Sequence, residues 1–154
     1  MLFRSVSRLT DTLNQYKANT KDGIVRCIAK LHLDFEYIHP FIDGNGRIGR
    51  VINNYLLIRE GYVPINIKFT DRQKYYDAFK TYDKKDNTQI MEEIIGLSLL
   101  QSFYKRLAYM ESKNIVTLAE YSKKHKISHS NLINKANRGT IEAFIDRGVW
   151  KIGM

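Results

Sequence analysis

The chain has one cysteine, Cys27, among its 154 residues. No intrachain disulfide can form, which fits a reducing compartment and a cytoplasmic protein. Cys27 falls within an apolar helical pattern and reads as core filler. There are only two prolines, Pro40 and Pro64; one follows a histidine, the other lies three residues beyond Gly61, which ends a helical pattern. No apolar run approaches the ~20 residues that cross a bilayer, and no signal peptide is legible at the start, so no membrane partner is expected. Neither internal repeats nor low-complexity runs occur. Acidic residues are scarce: 16 Asp and Glu against 25 Lys and Arg, a formal charge of +9 and a pI near 9.6. That balance favours an anionic partner, whether nucleotide, nucleic acid or an acidic protein surface. A hydrophobic fraction of 44% supplies a sizeable core for one domain, or one domain with a small appendage.

Against this background one stretch concentrates chemistry: His39-Pro40-Phe41-Ile42-Asp43-Gly44-Asn45-Gly46-Arg47-Ile48-Gly49-Arg50. Asp43-Gly44-Asn45-Gly46 is a turn signal with two permissive backbone positions. The sequence from Arg47 to Glu60 then predicts a helix, with Ile48, Val51, Ile52, Tyr55 and Leu56 at helical spacing. A glycine-rich turn feeding a helix is an anion site, because the first N–H groups have no intrahelical acceptor and the helix dipole favours negative charge. Arg47 and Arg50 share a helical face and offer planar forks for phosphate oxygens. Asp43 suits Mg2+ held jointly with phosphates. His39 can take a proton from a hydroxyl. Singly, each feature has a plain structural reading: a histidine before proline, a simple turn, a solvated face. Together they are the parts for nucleotidyl or phosphoryl transfer, where positioning and charge neutralisation dominate.

The stretch resembles the Fic family signature, HPFx(D/E)GNGRxxR, and matches it at every defined position. Leu31 to Ile38 before it and the Tyr75-Tyr76 segment after it are also similar to family sequence. The resemblance implies a protein adenylyltransferase that moves AMP from ATP to a Ser, Thr or Tyr hydroxyl of a target protein. It assigns His39 as general base and Asp43 as the Mg2+ ligand. It places the Gly44-Asn45-Gly46 backbone and the Asn45 side chain at the α-phosphate, Arg47 at the β- and γ-phosphates, and Arg50 at the γ-phosphate. Tyr76 is implied near the adenine. ATP is the co-substrate and Mg2+ the cofactor. Gly46 stands where phosphotransferring relatives usually carry Lys, which favours AMP transfer over other donors.

The implied fold is all-α, a Fic-type helical bundle, with a small C-terminal winged helix-turn-helix-like module of helices and a β-hairpin. The expected domains are a catalytic core over 1–112 and a basic module over 113–154. Residues 1–20 suggest a short helix through Val6, Leu9 and Leu13. A helix over about 22–37, apolar at Ile24, Ile28, Leu31, Phe35 and Ile38, delivers His39 at its end. Ile65 to Phe69 reads as extended. Thr70 and Gln73 form a capping box for a helix carrying Tyr75, Tyr76, Phe79 and Tyr82, an aromatic stripe read as core. A long helix over about 88–112 is expected to bury Ile90, Met91, Ile94, Leu97, Leu100, Phe103, Tyr104 and Leu107. Thr117 with Glu120, and Ser128, cap two short helices, Leu118 to Lys124 and Ser128 to Ala136. Thr140 to Ile145 and Val149 to Ile152 read as strands joined at Asp146-Arg147-Gly148.

This C-terminal segment is similar to excisionase- and MerR-type modules. It places His129, Ser130, Asn131 and Asn134 on the second helix, where a recognition helix would present them to DNA. The alternative is that the module packs on the core or docks a protein. Family members usually carry more upstream helices and a flap before the signature; neither is legible here, so the chain reads as truncated. A missing pocket wall would expose apolar surface and favour a homo-oligomer. The family's inhibitory (S/T)xxxE(G/N) motif is also not found. Two rival functions remain open at this point: a Fic enzyme with another nucleotide-derived donor, and a DNA-binding regulator with a nucleotide-sensing Fic half.

Overall fold

The computed structural model describes residues 23–67 and 72–154. The short helix expected through Val6, Leu9 and Leu13 lies outside the described residues, as do Phe69 and Thr70. The described elements are six helices and three strands: α1 (Ile24–Ile38), α2 (Asn45–Arg59), α3 (Arg72–Lys85), α4 (Gln89–Met110), β1 (Ile115–Thr117), α5 (Leu118–His125), α6 (His129–Asn137), β2 (Ala143–Asp146) and β3 (Val149–Gly153). The helical bundle with a small α-plus-hairpin module is therefore the observed fold class. Among the described residues, no helix is long and apolar enough to cross a membrane. The chain divides into two compact units, Met1–Gly96 and Leu97–Met154.

In the first unit, α1 contributes Ile28, Leu31, Leu33 and Phe35 to the core, all 2% exposed or less. Cys27 is buried beside them. The helix ends where His39 turns to the left-handed region (φ 46°) while its N–H still bonds Phe35 O at 3.1 Å. α2 packs on α1, but not on the face its apolar residues mark. Its buried residues are Asn45, Gly49, Asn53, Leu56 and Leu57. Val51 and Tyr55, part of the apolar spacing that predicts the helix, are 67% and 62% exposed. The close approach of the two helices explains the choice. A Cβ on Gly49 would lie 3.2 Å from Phe35 Cδ1 and 3.2 Å from Glu36 Oε1, so the contact face must be small.

After α2, the Asn54 side chain clamps residue 65. It donates to Ile65 O at 3.0 Å and accepts from Ile65 N at 2.8 Å. This holds Val63, Ile65 and Ile67 in the core without a strand partner. On α3 only Ala78 is fully buried. Tyr75 and Tyr82 are half-buried, their hydroxyls reaching α1 at His32 and Asp34. Lys30 joins the second contact, donating to Tyr82 Oη at 2.9 Å. The aromatic stripe is thus a set of polar-tipped struts between helices.

α4 is apolar on all sides, so its period alone does not select a buried face. Met91, Ile95, Leu99 and Ala108 are buried, whereas Leu100, Phe103 and Leu107, expected inside, are each about two-fifths exposed (40%, 41% and 39%).

In the second unit, Leu118, Leu132, Ala136, Ala143 and Ile152 form the core, with Val116, Tyr121, Ile133, Ile141 and Trp150 packed around them. The Thr117 capping box is complete. Thr117 Oγ1 accepts from Glu120 N at 3.1 Å and the Glu120 carboxylate accepts from Thr117 N at 2.8 Å. Ser128 caps α6 through Asn131 N. The sheet order is β1-β3-β2, antiparallel throughout. β1 adds a strand to the expected hairpin; three residues are too few to show an alternating pattern, and pairing with Lys151, Ile152 and Gly153 defines it. The expected strand from Thr140 begins only at Ala143, because Gly139 is held at φ 68° in a turn.

Candidate functional site

Residues 40–44 connect α1 to α2, and the loop is shaped from both ends. At the first end, His39 sits exposed at the left-handed cap of α1. A non-glycine residue in that region carries backbone strain, which points to a constrained position. At the other end, Gly44 caps α2 at φ 82°, a conformation that glycine adopts without a Cβ penalty. The first helical backbone bonds are those from Arg47 N and Ile48 N to Gly44 O, both 3.0 Å. The amides of Asn45 and Gly46 therefore precede the first intrahelical bond, at the positive end of a 15-residue helix.

Asn45 holds the loop shut. Its Oδ1 accepts from Phe41 N at 3.0 Å and its Nδ2 donates to Phe41 O at 2.7 Å. With Asn45 only 3% exposed, this side chain is committed to the backbone of Phe41. Asp43 stands at the mouth of the turn. One oxygen accepts from Gly44 N at 2.6 Å and the other pairs with Arg47 Nη2 at 3.3 Å. Its side chain is 91% exposed, leaving lone pairs turned to solvent.

Among the described residues, no three His, Cys, Asp or Glu side chains converge to hold a metal unaided. A single exposed carboxylate fits Mg2+ that shares its coordination with phosphate oxygens. Arg47, 75% exposed at its side chain, reaches toward Asp43. Arg50 turns inward: its Nη1 would lie 3.4 Å from a Cβ on Gly46, as would Glu36 Oε1. Arg47 stands within the first turn of the helix and Arg50 in the second. Tyr76 is 59% exposed on α3, its ring edge-on to Tyr75 at 6.4 Å between centroids.

Behind the loop lies a polar layer that the motif does not announce. His32, fully buried, has Asn53 Nδ2 at 2.9 Å from Nδ1 and Tyr75 Oη at 2.8 Å from Nε2. With the Asn53 amide nitrogen as donor, the ring proton sits on Nε2 and is donated to Tyr75. Burial, reinforced by the Arg50 charge, pushes the His32 pKa down to about 4, so the ring is neutral. Burial raises the Glu36 pKa, against the opposing pull of His39 and Arg50. Its Oε1 is buried without a hydrogen-bond partner, and so is Asn53 Oδ1. Tyr75 is likewise held well above the ordinary phenol range, by burial first and by Glu36 second. His32, Glu36, Asn53 and Tyr75 thus buttress the signature from α1, α2 and α3. The available signal was the spacing of His32 and Glu36, seven and three residues before His39 on one helical face.

Residues 2–57 match the sequence model of the Fic/DOC family. A protein adenylyltransferase Fic from Culex quinquefasciatus is 45% identical over 62 residues, 40% of this chain and 12% of the relative. One from Nematostella vectensis is 50% identical over 46 residues, 30% of this chain and 11% of the relative. A protein of Aquifex aeolicus named "Probable protein adenylyltransferase" is 26% identical over 176 aligned positions, 96% of this chain and 53% of the relative. The chain therefore spans from 11% to 53% of the length of these curated relatives. Through residues 2–57, signature included, the chain is similar to the Fic/DOC family.

Proposed function

We propose that the chain transfers AMP from ATP to a Ser, Thr or Tyr hydroxyl of a target protein. One observation carries the reading. The complete signature closes into a loop whose two ends are an exposed, strained histidine and a helix start with its first amides unbonded. The relatives named protein adenylyltransferase support the same chemistry.

In this reading His39 accepts the hydroxyl proton as the oxygen attacks the α-phosphorus. The bond from that phosphorus to the β-bridging oxygen breaks, and pyrophosphate leaves. The amides of Asn45 and Gly46 receive charge on the α-phosphate, joined by the Gly44 amide when Asp43 releases it, Arg47 and Arg50 bind the β- and γ-phosphates, and Tyr76 offers a face to the adenine. Asp43 would hold Mg2+, which when bound neutralises phosphate charge. Residues 1–112 are the transfer core in this reading, and 113–154 an appended module.

The test is transfer of label from α-labelled ATP to proteins of a cell extract, with γ-labelled ATP and His39→Ala in parallel. The α-label should be transferred, the γ-label should not, and His39→Ala should lower the rate by roughly 10²–10⁴-fold while ATP still binds. Transfer that does not depend on His39 would overturn the reading. Competition among ATP, GTP, UTP and CDP-choline identifies the donor. Arg50→Ala should weaken ATP more than AMP; equal losses would remove Arg50 from the γ-phosphate.

A further inference from the structure

We propose that residues 115–154 form a double-stranded DNA-binding surface, with α6 entering the major groove and the β2–β3 turn lying on the adjacent backbone. This surface is independent of the signature chemistry.

Three observations converge. The first is architecture. α5 and α6 are joined by only Lys126, Ile127 and Ser128, with Lys126 at φ 54°, so the helices turn sharply on one another. β2 and β3 follow as a hairpin whose two-residue loop, Arg147-Gly148, has φ 48° and 80°. Two positive values match the type I′ turn, which keeps a hairpin narrow and projecting.

The second is the outer face of α6. Leu132 and Ala136 point into the core. Ser130, Asn131, Asn134, Asn137 and Arg138 fall on the opposite side and are all exposed. A face of amides, a hydroxyl and a guanidinium is poor for apolar docking. It is well supplied with the groups that read base edges: asparagine pairs bidentately with adenine, and arginine with guanine.

The third is charge. Seven basic side chains stand against three acidic ones over 115–154. All three acids are engaged internally. Glu120 closes the Thr117 capping box, Glu142 pairs with Lys113 at 3.2 Å, and Asp146 takes Lys105 at 2.6 Å and Lys151 at 2.9 Å. No ion pair among the described residues involves Lys124, Lys135, Arg138 or Arg147. The positive field is therefore left for an external polyanion. A helix fits the major groove of B-form DNA but not the deep, narrow one of A-form RNA, so duplex DNA is the matching partner.

The test is anisotropy of a labelled 30-base-pair duplex titrated with the full chain between 50 and 200 mM salt. Single-stranded DNA and double-stranded RNA of equal length serve as rivals. Four phosphate contacts would weaken duplex affinity roughly 10²-fold across that range. Arg147→Ala should lower affinity on every duplex and reduce the salt slope by about 1. Asn134→Ala should flatten the preference among duplexes selected from a random pool. Both residues are exposed, and circular dichroism checks that each variant folds. His39→Ala should bind duplex as the parent does, so loss of adenylyl transfer and loss of DNA binding are separable outcomes. Equal affinity for all three nucleic acids, or Arg147→Ala and Asn134→Ala binding like the parent, would overturn the proposal.

Discussion

Asn45 shows how a motif residue can act through the backbone of its neighbour. The amide forms two hydrogen bonds to Phe41 and is almost wholly buried. Asn45→Ala would leave a peptide N–H and C=O without those partners, costing on the order of 2–3 kcal/mol. It would also release the turn that positions Gly44 and Gly46. Urea unfolding should show the stability loss, and titration with ATP a weaker binding constant. Unchanged stability with weakened ATP binding would instead place the side chain at the phosphate, as the family resemblance implies. All the signature residues were legible in the sequence, because their spacing is local and their chemistry is typed by residue. The layer behind them was not. His32 meets Asn53 across 21 positions and Tyr75 across 43, and no local pattern encodes such contacts.

At the scale of elements, two glycines in helix interiors make opposite predictions. Alanine is intrinsically favoured over glycine in a helix by about 1 kcal/mol. In α4, a Cβ on Gly96 would meet nothing closer than Val25 Cγ1 at 3.8 Å. Gly96→Ala should therefore raise stability by roughly 0.5–1 kcal/mol. In α2, the same change at Gly49 drives a methyl to 3.2 Å from the buried Phe35 ring and from Glu36, with His32 Nδ1 at 3.4 Å. The ring is 1% exposed, so Gly49→Ala should lose stability by about 1–3 kcal/mol. The midpoint of urea unfolding measures both; stabilisation by Gly49→Ala would mean that α1 and α2 are less tightly pressed than described. The same contact explains why the helices could be read from the sequence while the buried face of α2 could not. Periodicity marked the apolar spacing of Val51 and Tyr55, but the packing distance selected Gly49 and Asn53 for burial. In the second unit the caps at Thr117 and Ser128 were legible because capping is a local code. β1 was not, since its partner lies more than thirty residues away.

For the molecule as a whole, the two units should answer acid differently. In the first, His32 is neutral in the fold with a pKa of about 4, against an ordinary value near 6.5. The unfolded chain therefore binds this proton more readily, and stability falls as pH drops from about 6.5 to about 4, by on the order of 3 kcal/mol. Glu36 acts in the opposite sense. Its pKa is raised by burial, so its protonation favours the fold and offsets part of the loss. In the second unit, hydrogen bonds from Lys105 first and Lys151 second hold the Asp146 carboxyl down to about 2. Its contribution is fully present above the ordinary value of 3.8 and is lost as pH falls through about 2. Between pH 6.5 and 4.5, amide hydrogen exchange should thus lose protection first over 24–59, while 115–154 stays protected. His32→Gln removes the titrating ring and keeps an amide that can hydrogen-bond. Its starting stability should be lower, but the fall between pH 6.5 and 4 should flatten over 24–59. Early loss over 115–154, or an undiminished pH response in His32→Gln, would show that a different group controls the acid response.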